Sequence, residues 1–339
     1  MRNLLALALI LPALFVPKLA LAQVQKEALP KLSICVFDPL GANGSLFNTM
    51  KDYRNAAFEW GADLEPRAYT DEKIAVDDFK AGQCDAMMVT GSRSRPFNKF
   101  AATIEAIGAI SDEDMLRTLL ATISGPKAAK YMREGQYEVA GIMPAGPIYL
   151  FTRDKEIDTV EELSGKRVAT IDYDEPSIFL VNHVGASMVP SNSANFSGKF
   201  NNGSVDVAYA PAVAYKPLEL YKGLEPNGGI LRFVLAYMDF QIILRADKFP
   251  DGFAQKSRSA VSSYFDRVNE FVKKETNEID PKHWIDLPKE VTDQYGNILR
   301  EVRIKLRDKG VYDGKMLRLM RNLRCKTNPV AAECAEKLE

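Results

Sequence analysis

The chain has 339 residues, with 44 Lys and Arg against 45 Asp and Glu and a formal net charge of −1. Nothing in that balance recruits a nucleic acid, whose partners carry a concentrated basic face. A hydrophobic content of 46% excludes a natively unfolded chain, and the length suits two domains of ordinary size.

Taken in chain order, residues 1–22 read as a cleavable secretion signal and not as part of the fold. Arg2 makes the amino end positive, Leu4 to Val16 is apolar, and Ala20 and Ala22 supply small residues for cleavage. The apolar stretch falls short of the ~20 residues that span a membrane. No cysteine follows it for lipid attachment. The expectation is a soluble exported chain beginning at Gln23, periplasmic and without a membrane anchor.

In an oxidising compartment the four cysteines imply two bridges. Cys325 and Cys334 are near enough in sequence to staple the tail, which leaves Cys35 for Cys84 and requires their strands to be neighbours. Zinc is the weaker reading, because there is no C-x-x-C spacing and the only histidines are His183 and His283.

The first lobe is expected over 23–152, with strands near 32–37, 64–69 and 84–90. The strand "KLSICVFD" runs into "PLGANGS", whose Asn43 and Ser45 open a helix with amide N–H groups free for an anion. "FKAGQCDAMMV" from Phe79 reads as a helix end, a Gly stop and a buried strand. The following "VTGSRSRPFNKF" places Thr90, Ser92, Arg93 and Arg95 at a carboxyl strand edge. If extended, Arg93 and Arg95 share a side, toward a ligand or toward solvent. Ser111 is the expected cap of the next helix. "PIYLFTRD", with Tyr149, is expected to cross to a second lobe over 153–238.

There "GKRVATID" leads to Asp172, Tyr173, Asp174 and Glu175, suited to a ligand amine or to pairing with the arginines across the cleft. "FNNGSVDVAYA" from Phe200 repeats the phrase that begins at Phe79, 121 positions on. Tyr209, Pro211 and Tyr215 follow it, tyrosine suiting a ligand cleft by its apolar area and hydroxyl. Tyr149 on the crossing strand, with Tyr237, Asp239 and Gln241 on the return strand, is expected to complete the pocket. Residues 239–339 then return to the first lobe and end in helices. Val261, Tyr264, Phe265, Val268, Phe271 and Val272 form one apolar helical face, expected to be core. The late basic residues, Arg321 and Arg324 among them, read as a solvated helix face.

Two copies are too few for a solenoid; they fit two α/β lobes whose strand ends face one cleft. The plan resembles a type II periplasmic solute-binding protein, most like the receptors of TRAP transporters. "IDTVEELSGKRVAT" resembles that family's entry into its second lobe, and "FQIILRADKFP" its return strand. "RSRPFNKF" is similar to a subfamily of AdeT-type putative solute-binding proteins. The resemblance implies a two-lobed clamp with a hinge, a small-molecule ligand and a membrane transporter as partner. In that family an arginine follows the Gly-Lys turn and grips a carboxylate; here Ala169 occupies the slot, and Arg167 lies two positions earlier. No G-x-S-x-G, H-E-x-x-H or P-loop is present. The reading is therefore a receptor without catalysis or cofactor, for a small polar ligand that is anionic if the arginines face it. The alternatives are an accessory protein of an efflux pump or sensor, and an enzyme built on the same fold.

Overall fold

The computed structural model describes residues 29–339, so the secretion signal expected over 1–22 lies outside the described residues. Eleven strands follow in chain order: β1 Lys31–Phe37, β2 Asp63–Tyr69, β3 Ala86–Thr90, β4 Arg133–Glu134, β5 Tyr137–Thr152, β6 Arg167–Ile171, β7 Ser187–Ser191, β8 Val207–Pro211, β9 Gly229–Leu231, β10 Ala236–Arg245 and β11 Trp284–Ile285. The main path runs β2-β1-β3-β10-β5-β8-β6-β7. Among the described residues no helix is long and apolar enough to cross a membrane.

The two halves of this mixed α/β fold share one hydrogen-bonded path, where the sequence suggested two sheets. The reason is β5. Sixteen residues reach about 50 Å, enough for Tyr137–Ile148 to pair with β10 and for Ile148–Thr152 to pair with β8. β10 is antiparallel to β3, β5 to β10, and β8 to β5. The carboxyl ends of β3 and β8 therefore run toward each other. Thr90 pairs with Phe240, which pairs with Met143, while Pro211 pairs with Ile148. Both sets of strand tips converge on the middle of β5.

The repeated phrase is one structural device used twice. Gly82 and Gly203 hold φ of 78° and 79°, the left-handed stop of each helix, while Phe79 and Phe200 are fully buried. Asp85 exchanges backbone bonds with β1, its N–H donating to Ser33 O (2.9 Å) and its Oδ2 accepting Ser33 N–H (2.9 Å). Asp206 repeats both with Arg167, at 2.8 and 2.9 Å. Each aspartate carbonyl then accepts an arginine N–H, from Arg245 (2.9 Å) and from Arg153 (3.0 Å). The same arginines donate through their guanidinium groups to Phe79 O (2.5 Å) and Phe200 O (2.8 Å), capping the helix ends.

Cys35 bonds to Cys84 and Cys325 to Cys334, as the sequence implied, and β1 lies beside β3. The C-terminal helices are not confined to the first half. Helix Phe265–Asn277 meets Glu113 through Lys273, and its end meets Lys216 through Glu278. In helix Lys289–Asp308, Arg303 donates to Ile107 O (2.7 Å) while Gln294 reaches Glu161. Arg321 and Arg324 do not form a solvated face; they hold the tail, Arg324 pairing with Glu333 and Glu339. Asp112, not Ser111, caps the helix Glu113–Ser124 by accepting Met115 N–H.

Replacing Asp85 or Asp206 by Ala leaves a strand N–H without its carboxylate. The expected cost is about 1–3 kcal/mol for the part-buried Ser33 N–H and less for the exposed Arg167 N–H, which water can satisfy. Asn, which keeps one acceptor oxygen, retains most of that stability. Urea unfolding of the four variants checks it.

Candidate functional site

Where the strand tips converge lies a cavity of about 810 Å³. Its floor is apolar, from Met143, Ile148 and Leu150 of β5 and Met238 and Phe240 of β10. Thr90, Ser92, Arg95 and Glu105 stand on the first wall, and Tyr173, Asp174, Tyr209 and Pro211 on the second.

The walls touch through polar contacts. Glu72, at the start of the helix Glu72–Lys80, is fully buried; its Oε1 accepts Thr90 N–H (2.6 Å) and the Thr90 hydroxyl (2.7 Å). Its Oε2 accepts the Tyr173 hydroxyl from the opposite wall. Arg93 lies over the Tyr173 ring with its Nε 4.0 Å from Glu72. Arg95 reaches across to Asp174 at 3.6 Å. Burial pushes the Glu72 carboxyl up, and the bonds from Tyr173 and Thr90 oppose it.

The segment expected to be extended is a helical turn, Gly91–Ser94. Two residues on a helix turn through about 200°, so Arg93 and Arg95 diverge. Arg95 borders both the cavity and the outer groove, whereas Arg93 borders only the outer groove, beside Lys73, Lys80, Lys99 and Lys309. Gly91 is required at the turn: a Cβ there would meet Glu105 Cδ at 2.7 Å and Asp239 Oδ1 at 2.8 Å.

Several expected site residues lie elsewhere. On β5 and β10 the expectation chose the wrong face, since side chains alternate and a one-residue phase inverts them. Tyr149 packs on Trp284 in a second core with Phe151 and Phe200. Tyr237, Asp239 and Gln241 lie on the face of β10 opposite Met238 and Phe240. Tyr215 is buried against His283, 2.9 Å from Nδ1. Asn43 and Asp172 are exposed and outside the cavity, Glu175 borders only the outer groove, and Ser45 stands at the cavity edge. The helix N-terminus after "GANGS" is not free for an anion, because Asp38 Oδ2 accepts Phe47 N–H (3.0 Å). Tyr264 and Phe271, expected in the core, are half exposed and border the cavity. Ala169 packs in the second core and Arg167 pairs with Asp206 at 2.6 Å, so neither position brings a cation to the cavity.

Glu72 and Glu105 were missed. Glu105 had a signal: it is the one charged residue in "FAATIEAIGAI", and an acid in such a run needs a reason. Its Oε1 accepts Asp239 N–H (2.9 Å) and Gly91 N–H (3.2 Å). Asp239 is 1% exposed, and both its carboxylate oxygens lack a hydrogen-bond partner. Burial, and next the charge of Asp239, hold Glu105 well above the ordinary carboxylate range; burial lifts Asp239 to about 7. Both shifts favour the protonated form within the pair.

A raised folded-state value means that Asp239 contributes stability below its ordinary 3.8, and that this is lost as pH rises to about 7. Asp239→Asn removes the ionisation. It is expected to melt several degrees above the parent protein beyond pH 7 and to converge with it in acid, as calorimetry across pH would record.

The sequence profile described as "Solute-binding protein AdeT 1/2" matches residues 55–339. The probable solute-binding protein AdeT1 of Acinetobacter baumannii is 42% identical over 300 residues, covering 88% of this chain and 99% of AdeT1. Among solved structures, a TRAP periplasmic solute binding protein from Desulfovibrio salexigens with bound orotic acid superposes with a TM-score of 0.71 at 12% identity, covering 87% of this chain and 99% of that one. Another, from Ralstonia eutropha H16 with bound (S)-2-acetolactate, gives 0.71 at 11% identity, covering 87% and 99%. The strand tips that meet over β5 are thus carried on the fold of TRAP receptors, and the chain belongs to the AdeT 1/2 family of solute-binding proteins.

Proposed function

We propose that this protein is an extracytoplasmic receptor, exported by its first 22 residues, that closes two lobes over a small polar solute and presents it to a membrane transporter. The lobes are taken as 23–152 with the return over 239–339, and as 153–238, hinged where β5 and β10 pass between them. It binds without turnover. The observation that carries this reading is the cavity itself: about 810 Å³, enclosed by strand tips from both halves, lies within the range of small-molecule sites. TRAP proteins of the same fold with bound orotic acid and acetolactate support it, as does the family.

Few bonds join the walls directly. Tyr173 to Glu72 and Arg95 to Asp174 are each of the size that a bound solute can outweigh, about 1–3 kcal/mol. Closure is then a balance that the ligand tips, because only the closed state brings both walls to it.

Thermal melts of the purified protein against a solute library test the function. A ligand at 100 times its Kd is expected to stabilise by about 2.7 kcal/mol. Loss of substrate in the same samples would instead mark an enzyme. The double variant Tyr173→Phe, Asp174→Asn removes both bonds across the cleft. It is expected to expand the ligand-free protein in solution scattering and to weaken binding about tenfold.

A further inference from the structure

The wall of the cavity carries six carboxylates and two arginines, an unusual balance for a pocket meant to hold an anion. Most of these charges are already engaged. The Asp38 carboxylate accepts Leu40 N–H (2.8 Å) and Phe47 N–H (3.0 Å). Glu72 is held by Thr90, Tyr173 and Arg93, and Arg267 is exposed. Asp52 is exposed and Glu275 half-buried. The rest of the wall charge is at the tip of β3, with Arg95 on the turn Gly91–Ser94, Glu105 beneath it and Asp174 on the facing wall. Asp239 of β10 lies next to Glu105 on the side away from the cavity floor. This cluster contains three carboxyl groups and one guanidinium, and the guanidinium is turned to Asp174. Both oxygens of Asp239 are buried without a hydrogen-bond partner, and its Oδ1 and the Glu105 carboxyl converge on the space beside Gly91.

We propose that the solute carries a protonated amine, seated between Glu105 and Asp174 at the tip of β3, with an apolar body over Met143, Ile148, Leu150, Met238 and Phe240. The inference rests on the receptor reading and names its ligand class. In the free protein, protonation of one carboxyl of the Glu105–Asp239 pair relieves their repulsion. A ligand cation supplies the same relief and displaces that proton. A carboxylate would find one counter-charge, Arg95, whose buried Nε lacks a hydrogen-bond partner but which already faces Asp174; neither Ala169 nor Arg167 adds a second. A bare metal ion fits less well, since no group of three or more ligating side chains occurs among the described residues and the floor suits an organic body.

The test is calorimetric titration of the full exported chain with phenethylammonium and larger aromatic amines, and with 3-phenylpropanoate and its matched carboxylates, in two buffers of different ionisation enthalpy. Amines are expected to bind near neutral pH with release of part of a proton, and carboxylates are not expected to bind. Glu105→Gln keeps an oxygen for Gly91 N–H and Asp239 N–H but removes the charge. It is expected to weaken amine binding about tenfold or more, to abolish the proton release and to leave the circular dichroism unchanged. Carboxylate binding in place of amine binding overturns the inference and leaves the receptor reading standing. Amine binding that Glu105→Gln does not alter overturns the placement. Binding of neither panel overturns the receptor reading and this inference with it.

Discussion

The structure depends on how a helix end, a strand start and an antiparallel neighbour are tied at one aspartate. Asp85 and Asp206 each use their N–H, side chain and carbonyl on the two strands that flank them. A carboxylate is suited to this place because it accepts a strand N–H that has no ladder partner, and an unpaired buried N–H is costly. The glycine three residues earlier lets the helix stop in time, and the phenylalanine before it fills the core under the turn. The phenylalanine, glycine and aspartate are the positions this device fixes, and they are the three that the second copy repeats.

The arginine that caps each helix comes from a strand that began in the other half. Arg245 ends β10, which starts at the waist beside Ile148, and Arg153 follows β5, which starts in the first half. The two long strands therefore exchange places, and each locks its far end to a helix terminus. In the proposed closure, motion between the halves cannot be absorbed at those ends. It is left to the waist, where the β5–β10 register shifts between Met238 and Asp239 and Gly146 holds φ of 101°. Helices that touch both halves at their two ends limit how far such a motion can go.

Much of this was legible in the sequence, because periodic and repeated features report backbone demands. The strands 31–37, 63–69 and 86–90 were read within two residues, and the disulfides and the duplicated phrase were read correctly. The site was read less well, for a physical reason. Which face of β5 or β10 meets the cavity depends on phase, and the bulge at Met238 and Asp239 together with Gly146 resets phase in a way no residue type announces. Tyr149 and Asp239 were therefore assigned to the wrong face, while Met238 and Phe240, apolar and unremarked, form the floor. The turn at Gly91 was missed because an Arg-Ser-Arg segment reads equally well as extended; only the closeness of Glu105 and Asp239 to Gly91 makes the tight turn necessary.

The duplication also marks where the scaffold stops and the chemistry begins. Phe79, Gly82 and Asp85 have counterparts in the second phrase, but Glu72 and Glu105 belong to segments outside it, and Tyr173 faces Glu72 without a symmetric partner of its own. The charges follow this asymmetry. Lysines 73, 80, 99 and 309 crowd the outer groove, carboxylates crowd the cavity, and Arg93 over Tyr173 lies on the boundary between them. Such a gradient attracts anions to the rim and disfavours them inside. The two signs are thus kept on separate surfaces, lysines in the outer groove and carboxylates in the cavity, with Glu72 and Glu105 supplied from outside the duplicated phrase.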